Sequence, residues 1–253
     1  VDSHNLMFCT KMGIVKKTAF ANYARPRSTG IIAINLIEGD MVKDVLLTSG
    51  TDEIMIASRD GRAIRFVENT VRVMGRGATG VKALKLNGPD DEIVGMISLQ
   101  KPEGLSEEEM INDPTIPTVL VVSENGYGKR SSIFDYRITN RNGKGIKTLN
   151  ITEKTGKLIA IKSVTDDDDL MIINKSGIAI RLALKTVRIQ GRNTQGVTLI
   201  NLKKRNDAIS SVCKVEHEEV EDDDNVPDAD GQTNMTYKDT PEVENTNNET
   251  SEE

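Results

Sequence analysis

The sequence contains no tryptophan, and aromatic residues make up only 3% of its 253 residues. A core must therefore be built from aliphatic side chains and methionine, and binding of single strands by base stacking is disfavoured. No apolar run approaches the roughly 20 residues of a membrane helix, and the N-terminus lacks the basic and apolar pattern of a signal peptide. We therefore expect a cytoplasmic protein that does not enter a membrane.

Cysteine and histidine are also scarce. Cys9, Cys213, His4 and His217 are too few and too scattered for a four-ligand zinc site, and we expect buried, reduced thiols. No Ser-His-Asp arrangement and no acid–base pair is recognisable. The four aspartates that begin at Asp166 are interpreted as a solvated loop rather than a metal site. The sequence thus predicts no catalytic residue, metal or cofactor in this chain.

The net charge of −6 averages two unlike parts of the chain. The segment Glu216 to Glu253 carries 15 acidic residues and one basic residue, a net charge of −14. The preceding 215 residues carry 24 acidic and 32 basic residues, a net charge of +8. A basic body with an acidic tail is typical of proteins that bind polyanions, with a tail that competes for the same surface.

The sequence repeats internally. Four segments consist of a β-rich run, a polar turn that ends in glycine, and a second β-rich run. These first glycines are Gly13, Gly61, Gly126 and Gly177. A second glycine follows 17 or 19 residues later, before residues with a fixed apolar pattern, at Gly30, Gly80, Gly145 and Gly196. A further strand then closes each unit, which gives about 50 residues and four strands per repeat.

Four-stranded units with this period predict an all-β, propeller-like array of blades. The predicted boundaries are blades at 1–50, 51–100, 118–164 and 165–215, an inserted surface loop at 101–117, and a disordered acidic tail at 216–253. A two-sheet β-sandwich is the alternative, but it gives no reason for the regular spacing.

Basic residues recur with the repeat, four residues after each first glycine and four residues before each later second glycine. Exposed strand positions often carry Lys or Arg to prevent edge pairing. Because these basic residues recur in every repeat, and the folded part is basic, we favour a belt of cations that follows a duplex phosphate backbone without reading bases. The candidate DNA-binding residues are Lys16, Lys17, Arg25, Arg27, Arg65, Arg72, Arg76, Lys82, Lys129, Arg130, Arg137, Arg141, Lys144, Lys147, Arg181, Arg188 and Arg192. The loops GRGATG and GRNTQG precede strands rather than helices, which disfavours a nucleotide site.

Several of these stretches resemble the C-terminal domain of the DNA gyrase A subunit. They are GIVKKT (Gly13–Thr18), RAIRF (Arg62–Phe66), VRVMGR and TGV within Val71–Val81, NGYGKR (Asn125–Arg130) and GRNTQGV (Gly191–Val197). The resemblance extends over nearly all of the first 215 residues, and an acidic tail is typical of that family. It implies a β-pinwheel, a propeller-like disc whose blades exchange a strand and whose basic rim wraps duplex DNA.

The resemblance also implies a fragment of a longer subunit. The family domain has six blades, of which this chain resembles the last four. The basic box of the first blade, similar to QRRGGKG, and the domain with the catalytic tyrosine have no counterpart here. The implied partners are duplex DNA, a gyrase B subunit, and one further gyrase A subunit (A2B2), with no small-molecule substrate for this chain. ATP and Mg²⁺ would be used elsewhere in that topoisomerase. The alternatives are the equivalent domain of the topoisomerase IV A subunit, or a propeller that serves as a protein-interaction scaffold.

Overall fold

The computed structural model describes residues 3–100, 104–111, 113–202 and 207–217. These residues form β-strands joined by turns, with four short 3-10 helices and one short α-helix, which confirms the predicted all-β class. The strands are β1 (Asn5–Thr10), β2 (Ile14–Ala19), β3 (Val42–Thr48), β4 (Glu53–Ser58), β5 (Arg62–Val67), β6 (Val81–Lys82), β7 (Ile93–Leu99), β8 (Thr118–Ser123), β9 (Tyr127–Ser131), β10 (Ile146–Lys147), β11 (Leu158–Val164), β12 (Asp168–Asn174), β13 (Ala179–Ala183), β14 (Val197–Thr198) and β15 (Ile209–Glu216). The 3-10 helices are Phe20–Tyr23, Glu68–Thr70, Ile133–Asp135 and Leu184–Thr186, and the α-helix, α1, is Glu107–Ile111.

The strands form four small antiparallel sheets, as the repeat predicts. Their orders are β3-β1-β2-β6, β7-β4-β5-β10, β11-β8-β9-β14 and β15-β12-β13. The edge strands β3, β7, β11 and β15 contact one another in series, so they surround the centre of the array. The opposite edge of each sheet therefore faces outward.

The outer strand of three sheets comes from the following repeat. β6 belongs to the second repeat and pairs with β2 of the first, and β10 and β14 pair in the same way with β5 and β9. A sheet therefore does not coincide with one stretch of sequence, although a simple reading of the repeat assigns all four strands to one unit. The fourth sheet has three strands among the described residues.

Strand exchange explains why glycine recurs at the hairpin turns. A Cβ atom on Gly126 would lie 2.4 Å from the carbonyl oxygen of Ile200, in the segment that crosses over from the fourth repeat. Its φ of +85° also favours glycine. Gly177 has the same φ sign, but no atom lies within 4 Å of its ideal Cβ position. The repeated glycine therefore serves both the turn and the close approach of the next unit.

Among the described residues, the two middle sheets pack against neighbouring sheets on both faces, and the first and last sheets pack against a neighbour on one face. Every residue of β8 is buried, because the aliphatic clusters of neighbouring units pack against both of its faces. On the first unit, large apolar side chains remain exposed at Ile32, Leu36, Ile37, Met41, Val42, Val45 and Leu47. Face-to-face packing of aliphatic side chains thus provides the core, as the scarcity of aromatic residues predicts.

Four expectations need correction. The inserted loop contains α1, and its Met110 and Ile116 are buried in the core rather than solvated. Asp168 and Asp169 are buried, so the aspartate run is only partly a solvated loop. β15 extends to Glu216, which moves the end of the folded part past the predicted tail boundary. Cys9 is buried, but Cys213 is exposed. Residues 218–253 of the predicted tail lie outside the described residues.

Candidate nucleic-acid interface

Glycine-rich loops of successive repeats occupy equivalent places on the outer edges of the sheets. In each of the first three units, the backbone amide five residues after the second glycine donates to a backbone carbonyl in the loop of the next unit. The pairs are Asn35 to Ala78 at 3.3 Å, Lys85 to Gly143 at 2.9 Å and Asn150 to Thr194 at 3.1 Å. Because the same contact recurs, the loops 75–80, 140–145 and 191–196 form one row, which we call the loop row.

Two arginines of this row reach back to the preceding unit. Arg141 donates from Nε to the carbonyl oxygen of Thr70 at 3.1 Å and from an Nη atom to that of Lys82 at 3.3 Å. Arg192 donates to the carbonyl oxygen of Lys147 at 3.1 Å. Lys82 and Lys147 are equivalent and exposed. At two successive steps, the structure therefore places an arginine side chain against the backbone of a basic residue of the preceding repeat.

Further candidate cations lie close to the loop row. Arg72, Arg137 and Arg188 are exposed at equivalent positions, directly after a buried residue that follows each 3-10 helix. Arg137 and Lys144 line the same surface pocket, together with backbone of the loop at Gly143. In the first unit, Arg25 and Arg27 are exposed in the segment that precedes Gly30.

The cations four residues after the first glycines do not lie on this surface. Lys17, Arg65 and Arg130 are buried, and each donates to a carbonyl in the 3-10 helix of the following repeat. The acceptors are Glu68, Ile133 and Leu184, which are equivalent to one another. These cations also pair with Glu68, Glu53 and Asp166 respectively. They join neighbouring units, and at most 5% of each residue is exposed.

Arg181 is the equivalent residue of the last repeat and has a different environment. It is exposed, and its Nε donates to Asp169 at 2.6 Å, whose other oxygen lies 2.9 Å from Nδ1 of His217. Burial raises the pKa of the Asp169 carboxyl, but the hydrogen bonds from Arg181 and His217 outweigh this, and the pKa lies below its usual value. Arg181 is therefore engaged with a carboxylate.

Lys16 and Lys129 are also buried, three residues after their hairpin glycines. The Lys129 Nζ donates to the carbonyl oxygen of Gly191 at 2.7 Å and to Oγ1 of Thr194 at 3.2 Å. Burial lowers the pKa of Lys129 to about 8; Asp135 opposes this shift, and the nearby charge of Arg192 adds to it. Burial and Arg76 likewise lower the pKa of Lys16. Both lysines lie beneath the loop row rather than on its surface.

Sequence reasoning missed an aliphatic residue at the same edge. Val73, Ile138 and Ile189 are 46% to 58% exposed and lie twelve residues after their first glycines. Each forms a parallel bridge with the buried cation of the preceding repeat. An alignment of the units at the first glycine would have shown that an apolar residue recurs at this position, outside the apolar pattern of the strands. The candidate surface thus combines arginine, lysine and aliphatic side chains.

Two other kinds of site find no support within the part of the chain that the structure describes. Among those residues, no group of three or more His, Cys, Asp or Glu side chains is arranged to hold a metal ion. None of the helices there has the length and apolar character needed to cross a membrane.

Comparison with known proteins identifies the family. The family described as "DNA gyrase C-terminal domain, beta-propeller" matches residues 4–49, 52–100, 117–165 and 168–212. The DNA gyrase A subunit of Staphylococcus aureus strain MRSA252 is 42% identical over 229 residues, which cover 89% of this chain and 24% of that protein. The protein from strain NCTC 8325 is 43% identical over 220 residues, with 87% and 23% coverage. The chain thus spans about a quarter of the length of these relatives.

Solved structures agree with this assignment. The C-terminal domain of DNA gyrase A superposes with a TM-score of 0.71 at 26% identity, over 85% of this chain and 66% of that one. The C-terminal domain of DNA topoisomerase IV superposes with a TM-score of 0.74 at 24% identity, over 85% and 62%, and shows the same fold. The four repeats, their sheets and these matches together place the chain in the family of DNA gyrase C-terminal, beta-propeller domains.

Proposed function

We propose that this chain binds duplex DNA along the loop row and bends it, without strong sequence preference, as the DNA-wrapping part of a gyrase A subunit. The observation that carries the proposal is the contact of Arg141 and Arg192 with Lys82 and Lys147 of the preceding repeats. In both cases the guanidinium lies against the backbone of an exposed lysine of the preceding unit, so basic residues of successive units are neighbours, which suits the closely spaced phosphates of a duplex. The names of the gyrase A relatives support the same proposal.

The proposed interface is smaller than the set of cations predicted from the sequence. It excludes the five buried residues and Arg181, which is paired with Asp169. It comprises Arg25, Arg27, Arg72, Arg76, Lys82, Arg137, Arg141, Lys144, Lys147, Arg188 and Arg192. Backbone contacts of this kind position DNA and carry no direct sequence information.

Bending follows from the arrangement of the units. The row steps around an array of sheets that surround a common centre, so a duplex that engages several steps must curve. Bending a site-sized segment costs on the order of 1–6 kcal/mol, which the phosphate contacts must offset. In a holoenzyme of two A subunits with two B subunits, this curvature would support ATP-dependent negative supercoiling. ATP hydrolysis and Mg²⁺-dependent DNA cleavage would belong to the other domains.

The acidic tail is proposed to compete with DNA for the loop row. Its residues from Glu218 onward carry 14 acidic side chains and one basic side chain, whereas the body that precedes it is basic. A tethered polyanion has a high effective concentration and lowers the apparent affinity of the surface for a second polyanion.

A salt titration of duplex binding tests the proposed function. Fluorescence anisotropy of a labelled duplex should give a logarithm of the binding constant that falls steeply with the logarithm of salt concentration. Arg141→Ala and Arg192→Ala should each reduce that slope by about one. Lys214→Ala is the matched control, because Lys214 is a half-exposed lysine on β15, near the centre, paired with Asp168. Energy transfer between dyes at the duplex ends reports bending.

Two outcomes would contradict the proposal. A binding constant that does not depend on salt would favour a protein-interaction scaffold over a DNA-binding surface. A loss in Lys214→Ala equal to the loss in Arg141→Ala would show that the loop row has no special role.

A further inference from the structure

Two buried lysines contact the glycine loops that carry the proposed DNA-binding arginines. Lys16 and Lys129 occupy the third position after the hairpin glycines of the first and third repeats, and both have 0% exposure. Lys16 donates from Nζ to the carbonyl oxygens of Arg76 and Ala33. Lys129 donates to the carbonyl oxygen of Gly191 and to Thr194. In both cases an acceptor lies in the loop of the next repeat.

The buried ammonium group satisfies loop carbonyls that have no strand partner. The Gly191 carbonyl also accepts the amide of Thr194 at 3.2 Å, and the Thr194 carbonyl accepts the amide of Asn150. Lys129 thus completes a small hydrogen-bonded frame on either side of Arg192. Its charge strengthens these bonds, because hydrogen bonds with an ionised donor are stronger than those between neutral groups.

The second repeat provides an internal comparison. Its equivalent residue is Ile64, and the loop that follows reads NRNGKG instead of GRNTQG. The Ile64 Cδ1 atom lies 3.5 Å from the ideal Cβ position of Gly143, so an apolar contact replaces the ammonium. Lysine accompanies GRGATG and GRNTQG, and isoleucine accompanies NRNGKG. The hairpin residue and the loop sequence therefore form a matched pair.

We propose that Lys16 and Lys129 are positioning residues, each of which fixes the loop of the following repeat so that Arg76 or Arg192 presents its guanidinium to the duplex. The inference rests on the proposed DNA-binding function. Neither lysine contacts DNA itself, since both are covered by the loops that they hold. Their contribution to binding passes through the two arginines.

A double-mutant cycle on Lys129 and Arg192 tests the positioning role. Arg192→Ala should weaken duplex binding about eightfold at 0.1 M salt, the effect of one lost phosphate contact with a slope near 0.9. Lys129→Ile should weaken binding by a similar factor. In the Lys129→Ile background, Arg192→Ala should cause little further loss, because an unfixed arginine contributes little. A merely structural role for Lys129 predicts equal losses in the two backgrounds.

The isoleucine pair of the second repeat supplies a rescue variant. Gly191→Asn with Thr194→Gly converts GRNTQG to NRNGQG, which matches the second pair except for its lysine and leaves the net charge unchanged. Adding these two changes to Lys129→Ile should restore wild-type affinity and the sensitivity to Arg192→Ala. Hydrogen exchange of the amide at position 194 gives a readout without DNA: exchange should accelerate in Lys129→Ile and slow again in the triple variant.

The outcomes separate this inference from the proposed function. Absence of salt-dependent binding in the wild type, or normal binding by Arg192→Ala, would refute the proposed interface and the positioning role with it. If Arg192→Ala weakens binding equally with and without Lys129, the interface stands and the positioning role is wrong. Unchanged Thr194 exchange in Lys129→Ile would also overturn the positioning role.

Discussion

Replacement of Arg65 by methionine should destabilise the fold without changing the salt dependence of DNA binding. Arg65 is 3% exposed and crosses from β5 to the 3-10 helix of the third repeat. Its Nη1 donates to the carbonyl oxygens of Ile133 and, at 2.9 Å, Tyr136, and its Nε donates to Glu53 at 2.6 Å. Methionine fills a similar volume but leaves these acceptors without their donor.

The expected loss follows from the burial of the pair. Removal of one partner of a buried ion pair costs about 3–5 kcal/mol, because the remaining charge is buried without compensation. Arg181→Met is the matched control in the fourth repeat, where the equivalent arginine is more exposed. Asp169 is buried but keeps His217 as a partner, and Arg181 is itself exposed, so this variant should lose less than Arg65→Met. Arg65→Lys should lose an intermediate amount, since Lys17 makes the equivalent contact in the first repeat.

Urea denaturation followed by circular dichroism measures the free energy of unfolding, and hydrogen exchange of the Tyr136 amide localises the effect. That amide donates to Ile133 within the helix that Arg65 holds, so its exchange should accelerate. The salt slope of duplex binding should match the wild type under conditions where the variant is folded. A slope reduced by about one, with unchanged stability, would refute the reasoning and make Arg65 a phosphate contact.

Three further predictions follow from the exchange of strands, the buried lysine and the tail. In urea denaturation, Gly126→Ala should lower the free energy of unfolding by at least about 2 kcal/mol more than Gly177→Ala does, because overpacking against Ile200 adds to the backbone cost that both variants share. Equal losses would show that the close approach of Ile200 does not affect stability. The pKa of Lys129 is about 8 in the folded chain, against an ordinary value of 10.5. Between these two pH values the unfolded state binds more protons than the folded state. The contribution of Lys129 to the free energy of unfolding should therefore increase as the pH rises from 8 to 10.5. That increment should be absent in Lys129→Met, and a wild-type profile identical to that of the variant would contradict the burial argument. Deletion of residues 218–253 should raise duplex affinity, most strongly at low salt, whereas unchanged affinity would refute competition by the tail.

The repeat, the all-β class and the positions of the long strands were predictable because they depend on local patterns. A short β-rich run, a polar turn that ends in glycine and a second β-rich run specify a hairpin such as β8–β9 without information from elsewhere. The exchange of β6, β10 and β14 was not predictable from periodicity. A two-residue strand such as Val81–Lys82 has the same pattern whether it pairs within its own unit or with the preceding one, and only the resemblance to the gyrase family implied the exchange.

The periodicity of the basic residues also did not reveal which of them are exposed. Lys17, Arg65 and Arg130 recur at one spacing because each meets an equivalent carbonyl of the next repeat. Arg76, Arg141 and Arg192 recur because each occupies an equivalent outer loop. Both explanations give the same periodicity, since any feature of a repeated interface repeats with it. Burial in the assembled array separates them, and burial depends on which unit packs where.

The loop row owes its shape to contacts within the protein. The row is held together by backbone contacts, such as that of Lys85 with Gly143, and by buried residues beneath it. Arg141 and Arg192 add side-chain hydrogen bonds between adjacent units. If the proposed function is correct, a surface that these protein contacts hold in place has its curvature set before DNA binds, and the phosphate contacts would then bend the duplex rather than order the protein. Under the proposed function, the packing of the repeats would set the path of the DNA, and the exposed arginines and lysines would set how tightly the duplex follows it.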